Sequence, residues 1–193
     1  LIHPLFLTRG VPGTHDSKML YNKINTLLKK KFNFIKLPRF NKLTDDRFKV
    51  KHWQKIYKKP DIVIFEGWCV GAKPQKFEDL KKPINSLEKE EDTKLTWRKK
   101  VNNELKTNYK KVYKLLDKKI YLKVPNFKYV LKWRILQEKK LRKKFKKNSI
   151  NNKEIKRFIM FYERITKNME KNINKNDFVV SIDKKHRIKS IRF

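Results

Sequence analysis

The feature that most constrains the fold is an apolar run at residues 62–65 that ends in an acid and a glycine. Residues 60–75 read PDIVIFEGWCVGAKPQ, and three of the four residues in the run are β-branched. An uninterrupted run of this kind, with Pro60 before it and Gly67 after it, is typical of a strand covered on both faces in a parallel sheet. We therefore predict a buried strand with Glu66 at its carboxyl end, where open α/β sheets bind ligands. An ordinary buried strand followed by a solvated glutamate is the alternative.

Glycine is used in only two places in the chain. Of four glycines, Gly67 and Gly71 follow the apolar run, and Gly10 and Gly13 lie in residues 9–16, RGVPGTHD. The rest of the sequence is filled with lysine, asparagine and isoleucine. Glycine therefore marks loops that need unusual backbone angles or a close approach to a ligand. We predict that the two turns lie side by side and rim one pocket for an anion.

The size and charge of the chain bound its class. With 193 residues and 38% hydrophobic content, it is long enough for about one domain with a real core. A net charge of +34 would ordinarily suggest a nucleic-acid partner. However, lysine greatly outnumbers arginine, the basic residues cover every predicted helix face, and no aromatic-basic RNA motif occurs. We expect no specific nucleic-acid partner, only weak and salt-sensitive binding of polyanions.

Cys69 is the only cysteine, which excludes an internal disulfide and a cysteine-rich zinc site. A small buried hydrophobe is favoured over a reactive thiol at this position. The sequence has neither an apolar run near membrane-spanning length nor a signal peptide, so we expect no membrane partner and a cytoplasmic location. Because the chain begins at Leu1, we expect its natural N-terminus, and any targeting segment there, to be missing.

Hydrophobic periodicity predicts alternating helices and strands. The predicted strands, besides 62–65, are residues 34–37, 119–124, 178–182 and 187–191. The predicted helices cover residues 17–31, 84–91, 92 to about 116, 127 to about 147, and a stretch that opens at residue 151 or 152. This alternation argues for an α/β fold with a mainly parallel sheet.

Arg9, His15 and Asp16 place a cation, a titratable imidazole and a carboxylate in the first glycine turn. They are candidates for binding an anion. Alternatively, Thr14 or Asp16 simply caps the next helix and Arg9 is solvated. Both can hold, because a helix N-terminus is itself an anion site.

Two further polar groups are candidates for the same pocket. Asp45, Asp46 and Arg47 lie in the polar loop 38–47, where a surface ion pair of little energetic weight is the alternative. Arg134 lies in an apolar-aromatic part of the basic helix, where a phosphate-facing lid competes with a solvated basic face.

Five ordered segments together resemble the glycerate kinase-like branch of the phosphoribulokinase/uridine kinase group of P-loop kinases. They are residues 9–16, residues 37–40 with 45–47, residues 65–72, residues 85–91 with Trp97-Arg98, and Trp133-Arg134 with Gln137-Glu138. The resemblance implies an α/β, P-loop NTPase-like fold with a mainly parallel sheet flanked by helices. It also implies ATP and Mg²⁺ as cofactors and phosphorylation of a small hydroxy acid, with D-glycerate the leading candidate.

The sequence departs from that group in one large respect. It contains no Gly-x-x-x-x-Gly-Lys-Ser/Thr loop and no paired aspartates before Phe-Tyr. The resemblance places both upstream of Leu1. We therefore expect residues 1–193 to form a single kinase-domain fragment, the C-terminal majority, which lacks its first strand and P-loop and is inactive alone.

The resemblance also implies roles for the candidate residues. Glu66 acts in the magnesium shell, and Arg134 and Gly67 meet the nucleotide and the transferring phosphate. Arg9 with His15 and Asp16 binds the acceptor, because an arginine fork matches a carboxylate, and Asp16 is a substitute base. The residues that would line the acceptor pocket are Asp45, Asp46 and Arg47. The alternatives are a basic nucleic-acid-binding protein, a pseudokinase, or a kinase of a different small metabolite.

Overall fold

The computed structural model describes residues 2–29, 31–41, 44–145 and 151–193. The helices are α1 (Ser17–Leu28), α2 (Phe77–Lys81), α3 (Ser86–Glu91), α4 (Thr96–Glu104), α5 (Lys110–Tyr113), α6 (Phe127–Phe145) and α7 (Asn152–Lys171). The strands are β1 (Ile35–Leu37), β2 (Phe40–Asn41), β3 (Asp46–Arg47), β4 (Gln54–Ile56), β5 (Ile120–Lys123), β6 (Phe178–Ile182) and β7 (Ile188–Arg192). Residue 30 of the first predicted helix, residues 42 and 43 of the polar loop and residues 146–147 of the basic helix lie outside the described residues.

The chain divides into two compact units. The small unit is Asp16–Glu66, and the large unit combines Leu1–His15 with Gly67–Phe193. In the small unit, Asp16 caps the N-terminus of α1, because its side chain accepts a hydrogen bond from the Met19 amide at 2.9 Å. Strand β1 pairs antiparallel with β4, and β2 pairs antiparallel with β3.

The predicted buried strand at residues 62–65 does not form. The segment has no regular secondary structure and no strand partner among the described residues, and the side chains of Ile62 and Ile64 are 78% and 85% exposed. A strand of a parallel sheet obtains its hydrogen bonds and its cover from neighbouring elements, so an apolar run alone cannot produce one. The prediction of a doubly covered strand is therefore wrong for the described residues.

In the large unit, helices α3, α4 and α7 enclose the main core. The buried apolar residues include Leu87, Trp97, Val101, Leu105, Tyr109, Phe161, Tyr162 and Ile165. Helix α7 begins with a capping box, in which Asn151 accepts from the Glu154 amide and Glu154 accepts from the Asn151 amide. The aromatic residues Trp97 and Tyr109, predicted to be core, are buried as expected.

A three-stranded sheet completes the large unit. Strand β5 runs parallel to β6, and the helices α6 and α7 form the crossover between them. Strand β7 folds back antiparallel on β6 after a short turn. Only one of the four pairings between described strands is parallel, so the predicted mainly parallel sheet is absent from the described residues. Short connections join β2 to β3 and β6 to β7, which makes these pairs antiparallel, whereas the long crossover between β5 and β6 allows a parallel pair.

A buried ion network holds α3, α4 and α7 together. Glu88 is fully buried and accepts hydrogen bonds from Arg164 at 2.7 and 2.6 Å. Asp92, also buried, accepts from the Arg98 guanidinium at 2.8 Å, and Arg98 lies 3.5 Å from Glu88. Each charge is thus compensated where water is excluded, which is the condition under which a buried ion pair is tolerated.

Among the described residues, no helix combines the length and the apolar character needed to cross a membrane.

Candidate functional site

The two glycine turns lie side by side in the large unit, as predicted. The Cys69 thiol of the second turn lies 3.9 Å from the Gly10 carbonyl oxygen of the first. A hydrogen bond from α5 fixes the second turn, because the Tyr113 hydroxyl donates to the Cys69 carbonyl oxygen at 2.6 Å. Two turns far apart in sequence therefore form one surface.

Tyr162 on α7 connects both turns. Its hydroxyl donates to the Arg9 carbonyl oxygen at 3.1 Å, and its ring stacks on Trp68 with centroids 4.1 Å apart and planes 6° from parallel. Gly10 has a φ of +126°, and a Cβ placed there would lie 1.9 Å from the Tyr162 hydroxyl oxygen. Glycine is thus required at position 10 by both the backbone conformation and the close approach of α7.

His15 ends the first turn as a neutral hydrogen-bonding group. Its Nδ1 lies 2.6 Å from the Tyr109 hydroxyl oxygen. The ring keeps one side in solvent, but its partial burial, and then the nearby charge of Arg9, lower its pKa below 6.5. At neutral pH the positive charge of this turn therefore comes from Arg9, and His15 supplies a hydrogen bond.

The thiol of Cys69 is inert. The residue is buried, and this burial raises the pKa of the thiol to about 12. Only the thiolate is a nucleophile or a metal ligand, so a neutral thiol has neither role here. The interpretation of Cys69 as a small buried hydrophobe is confirmed.

Arg134 on α6 lies near the same surface. Its guanidinium donates to Glu138 and to Gln137, at 2.6 Å in each case, and stacks over Phe158. Burial raises the pKa of the Tyr162 hydroxyl to about 12, and the positive charge of Arg134 partly opposes this shift. Arg134 is thus held in a fixed orientation beside the residue that joins the two turns.

A cavity of about 390 Å³ opens between Trp68 and helix α6. Arg134 lines it, together with Trp133 and His186, whose rings are 4.1 Å apart. Aromatic faces with an adjacent guanidinium suit a flat, anionic ligand. Sequence reasoning missed His186, because its only signal was a place in the turn between the last two predicted strands.

In the small unit, the structure brings Asp16 and Arg47 together. Asp16 Oδ2 lies 3.3 Å from the Arg47 guanidinium, while Asp16 Oδ1 caps α1. The capping alternative for Asp16 is therefore confirmed, alongside an ion pair that leaves both side chains about half exposed. Asp46 accepts a hydrogen bond from the Arg47 amide at 2.6 Å, and Asp45 has a φ of +54°.

Glu66 is the exposed last residue of the small unit and directly precedes Gly67. Within the described ranges, no three histidine, cysteine, aspartate or glutamate side chains group together as a metal site. A single carboxylate nevertheless fits Mg²⁺, which typically keeps several waters and is held by one or two carboxylates and substrate phosphates.

Comparison with known proteins shows a kinase relationship. The chain is 30% identical over 166 residues to the uncharacterized kinase mug58 of Schizosaccharomyces pombe, covering 83% of this chain and 58% of that protein. It is 29% identical over 136 residues to the chloroplastic D-glycerate 3-kinase of Arabidopsis thaliana, covering 67% of this chain and 27% of that one. No family model matches the chain.

The fold agrees with the sequence comparison. The structure of a D-glycerate 3-kinase from Cryptococcus neoformans superimposes with a TM-score of 0.80 at 21% identity, over 98% of this chain and 70% of that one. The chain spans 58% of the length of mug58 and 27% of that of the plant enzyme.

These comparisons define the chain first as a relative of kinases with a mixed α/β fold. More narrowly, the resemblance to the glycerate kinase-like group of P-loop kinases is confirmed.

Proposed function

We propose that the protein transfers a phosphoryl group from ATP to a hydroxyl of a small hydroxy acid, with D-glycerate as the leading acceptor. The observation that carries this proposal is the junction of the two glycine turns through Tyr162, with Arg9 on one side and Arg134 near the other. Phosphoryl transfer requires alignment and charge neutralisation more than covalent chemistry by the protein. Two fixed backbone turns near two guanidinium groups meet that requirement.

On the acceptor side, Arg9 binds the carboxylate of the hydroxy acid. A guanidinium matches a carboxylate with two parallel hydrogen bonds, which a lysine cannot do. The neutral His15, oriented by Tyr109, donates or accepts a hydrogen bond at a hydroxyl of the acceptor. Because Arg9 supplies a charge and His15 a hydrogen bond, the site favours a substrate that carries both a carboxylate and a hydroxyl.

On the donor side, the cavity beside Trp68 receives part of the nucleotide. Trp133 and His186 offer ring faces to the base, and Arg134 stabilises the charge of the transferring phosphate. Gly67 lets the chain approach the phosphates closely. Magnesium, when bound, neutralises phosphate charge, and Glu66 would hold it directly or through water.

The remaining roles belong to residues of the small unit. We assign acceptor binding to Asp45, Asp46 and Arg47, and the role of proton acceptor to Asp16, on the strength of the resemblance. The ion pair between Asp16 and Arg47 supports placing these two residues in one site, because it brings their side chains within 3.3 Å of each other.

We further propose that the phosphate cradle lies outside the printed sequence, within which no Gly-x-x-x-x-Gly-Lys-Ser/Thr loop occurs. The exposed side chains of Ile62 and Ile64 support this proposal. Apolar side chains of this size are ordinarily covered when they form a continuous run. We propose that a strand bearing the cradle pairs with residues 62–65 and completes a mainly parallel sheet.

The experiment is an assay of the full-length protein for ADP formation with a panel of small hydroxy acids and Mg-ATP. We expect turnover with D-glycerate, and a loss of about 100-fold or more in Glu66→Gln, because charge at the metal is removed. Glu78→Gln, an exposed change in α2, is the matched control. Turnover with none of the acids would refute the function, and normal turnover in Glu66→Gln would refute the role of Glu66.

A further inference from the structure

A second cavity of about 850 Å³ lies elsewhere in the large unit, between residues 71–77 and the helical segment from α4 to α5. Six lysines line it: Lys73, Lys99, Lys106, Lys110, Lys114 and Lys119. Its volume falls within the range of small-molecule and cofactor sites. None of the roles proposed above uses it.

The lysines of this cavity are not neutralised by the protein. No aspartate or glutamate lines the cavity, and none of its six ammonium groups forms an ion pair within the described part of the chain. In contrast, the nearby Lys81 and Lys100 are paired with Glu78 and Glu104 at 2.8 Å. Like charges gathered around a concave surface repel one another and raise the local potential, so an anion is stabilised there.

The floor of the cavity is apolar. Ala72, Leu80 and Leu105 are buried beneath it, and the rings of Phe77 and Tyr113 contribute to its wall. The Lys99 ammonium lies 5.0 Å from the centre of the Phe77 ring. A ligand with a flat or apolar body and charges at its edge would fit both parts, whereas a bare inorganic anion would use only the lysines.

The walls are fixed by specific backbone contacts. The Gln75 amide donates to the Asn102 side-chain oxygen at 2.7 Å, and the Asn102 side-chain nitrogen donates to the Gln75 carbonyl oxygen at 3.0 Å. Lys106 belongs to a π-helical turn, Leu105–Tyr109, inserted between α4 and α5. Such insertions occur frequently at functional sites. The cavity is therefore preorganised.

We propose that this cavity binds a small organic anion that carries two or more phosphate groups on an apolar or aromatic body. The lysines bind the phosphates, and the apolar floor together with the Phe77 ring binds the body. Gly71 belongs both to this cavity and to the second glycine turn, so an occupant would contact one end of that turn. The proposal concerns binding alone and does not depend on the proposed kinase activity.

The test uses pyranine, a planar aromatic trisulfonate whose fluorescence reports binding, titrated into the full-length protein at roughly 0.15 M salt. The triple variant Lys99→Ala, Lys106→Ala, Lys110→Ala is compared with Lys153→Ala, Lys156→Ala, Lys171→Ala, which removes the same charge from exposed positions on α7. We expect saturable binding that weakens about tenfold in the cavity variant and less than about twofold in the control.

Phe77→Ala separates the two parts of the site. It should weaken the binding of pyranine but leave the affinity for inorganic tripolyphosphate unchanged, because only the aromatic body of pyranine contacts the Phe77 ring. Hydrogen exchange should show protection by pyranine at residues 71–77 and 102–114. If both triple variants weakened pyranine binding equally, the binding would depend on the diffuse charge of the protein. If pyranine protected amides elsewhere in hydrogen exchange, the probe would bind at another site. Displacement of pyranine by single-stranded oligonucleotides, but not by tripolyphosphate, would assign the lysines to nucleic acid. Each of these three results overturns the proposal.

Discussion

Residues 62–65 and the inner face of α7 are both rich in isoleucine and phenylalanine, yet one is exposed and the other is buried. Ile64 is 85% exposed, whereas Ile159 on α7 is 3% exposed. A helix satisfies its own backbone hydrogen bonds, and α7 only has to place one face against α3 and α4. A strand depends on neighbours for both its hydrogen bonds and its cover. An apolar run therefore shows that a segment has side chains to bury. For a strand, the neighbouring elements decide whether these side chains are buried.

The largest expected effect concerns the network that holds α7 in place. Glu88→Gln should lower the free energy of unfolding by about 3 kcal/mol or more, because Arg164 and Arg98 would then be buried with too little negative charge. Urea unfolding of the full-length protein measures this change. Glu91→Gln is the control, since the Glu91–Arg157 pair is exposed and worth about 1 kcal/mol or less. Similar losses in both variants would show that α7 is held by apolar packing alone.

The second prediction compares the two isoleucines directly. Ile159→Ala should cost about 2–5 kcal/mol in unfolding free energy, because it leaves a cavity in the core. Ile64→Ala should cost less than about 0.5 kcal/mol in the 193-residue chain, as expected of an exposed site.

The same pair tests whether residues 62–65 acquire a partner strand. In the full-length protein, Ile64→Ala should cost about 1–3 kcal/mol more than in the printed chain, while the cost of Ile159→Ala stays the same. If the two costs of Ile64→Ala were equal, no partner would cover this segment.

The third prediction compares Gly10 with Gly67, because only Gly10 combines a positive φ with a very close neighbour. Gly10→Ala should destabilise the protein by about 2 kcal/mol or more, because φ is +126° and the new Cβ would overlap the Tyr162 hydroxyl. Gly67→Ala should cost less than about 1 kcal/mol, since its Cβ would meet only Val70, at 3.2 Å. Thermal unfolding of both variants checks this difference. Partial rescue of Gly10→Ala by Tyr162→Phe would locate the overlap at the hydroxyl, and an absence of rescue would place the strain in the backbone.

The smallest expected effect is the pH dependence caused by His15. Its pKa is lower in the folded protein than the ordinary 6.5, so the unfolded chain binds the proton more readily. The contribution of His15 to stability is therefore complete above pH 6.5 and decreases as the pH falls below that value. His15→Gln should flatten the stability curve below pH 6.5, measured by urea unfolding at each pH. A curve of unchanged slope would show that other groups cause the acid sensitivity.

Much of the helical structure could be predicted from the sequence, because its signals are local. The cap at Asp16, the capping box opened by Asn151 and the apolar periodicity of α7 each lie within a few residues of the element they define. The side-by-side position of the two turns could also be predicted, since glycine occurs nowhere else.

The sequence could not predict features that depend on distant partners. The contact of Arg164 with Glu88 joins residues 76 positions apart, and no local pattern marks either of them as buried. His186 reaches the cavity beside Trp68 through the packing of the last turn against α6. The absence of a strand at residues 62–65 has the same origin, because pairing is a property of the neighbours.

The central claim is that the two glycine turns form one anion-binding surface. Hydrogen exchange of the full-length protein, with and without D-glycerate and a non-hydrolysable ATP analogue, tests it most directly. The account predicts that the amides of residues 9–14, which exclude Pro12, and those of residues 67–71 become protected together when both ligands are present. Protection of only one turn, or of neither while both ligands are bound, would contradict it.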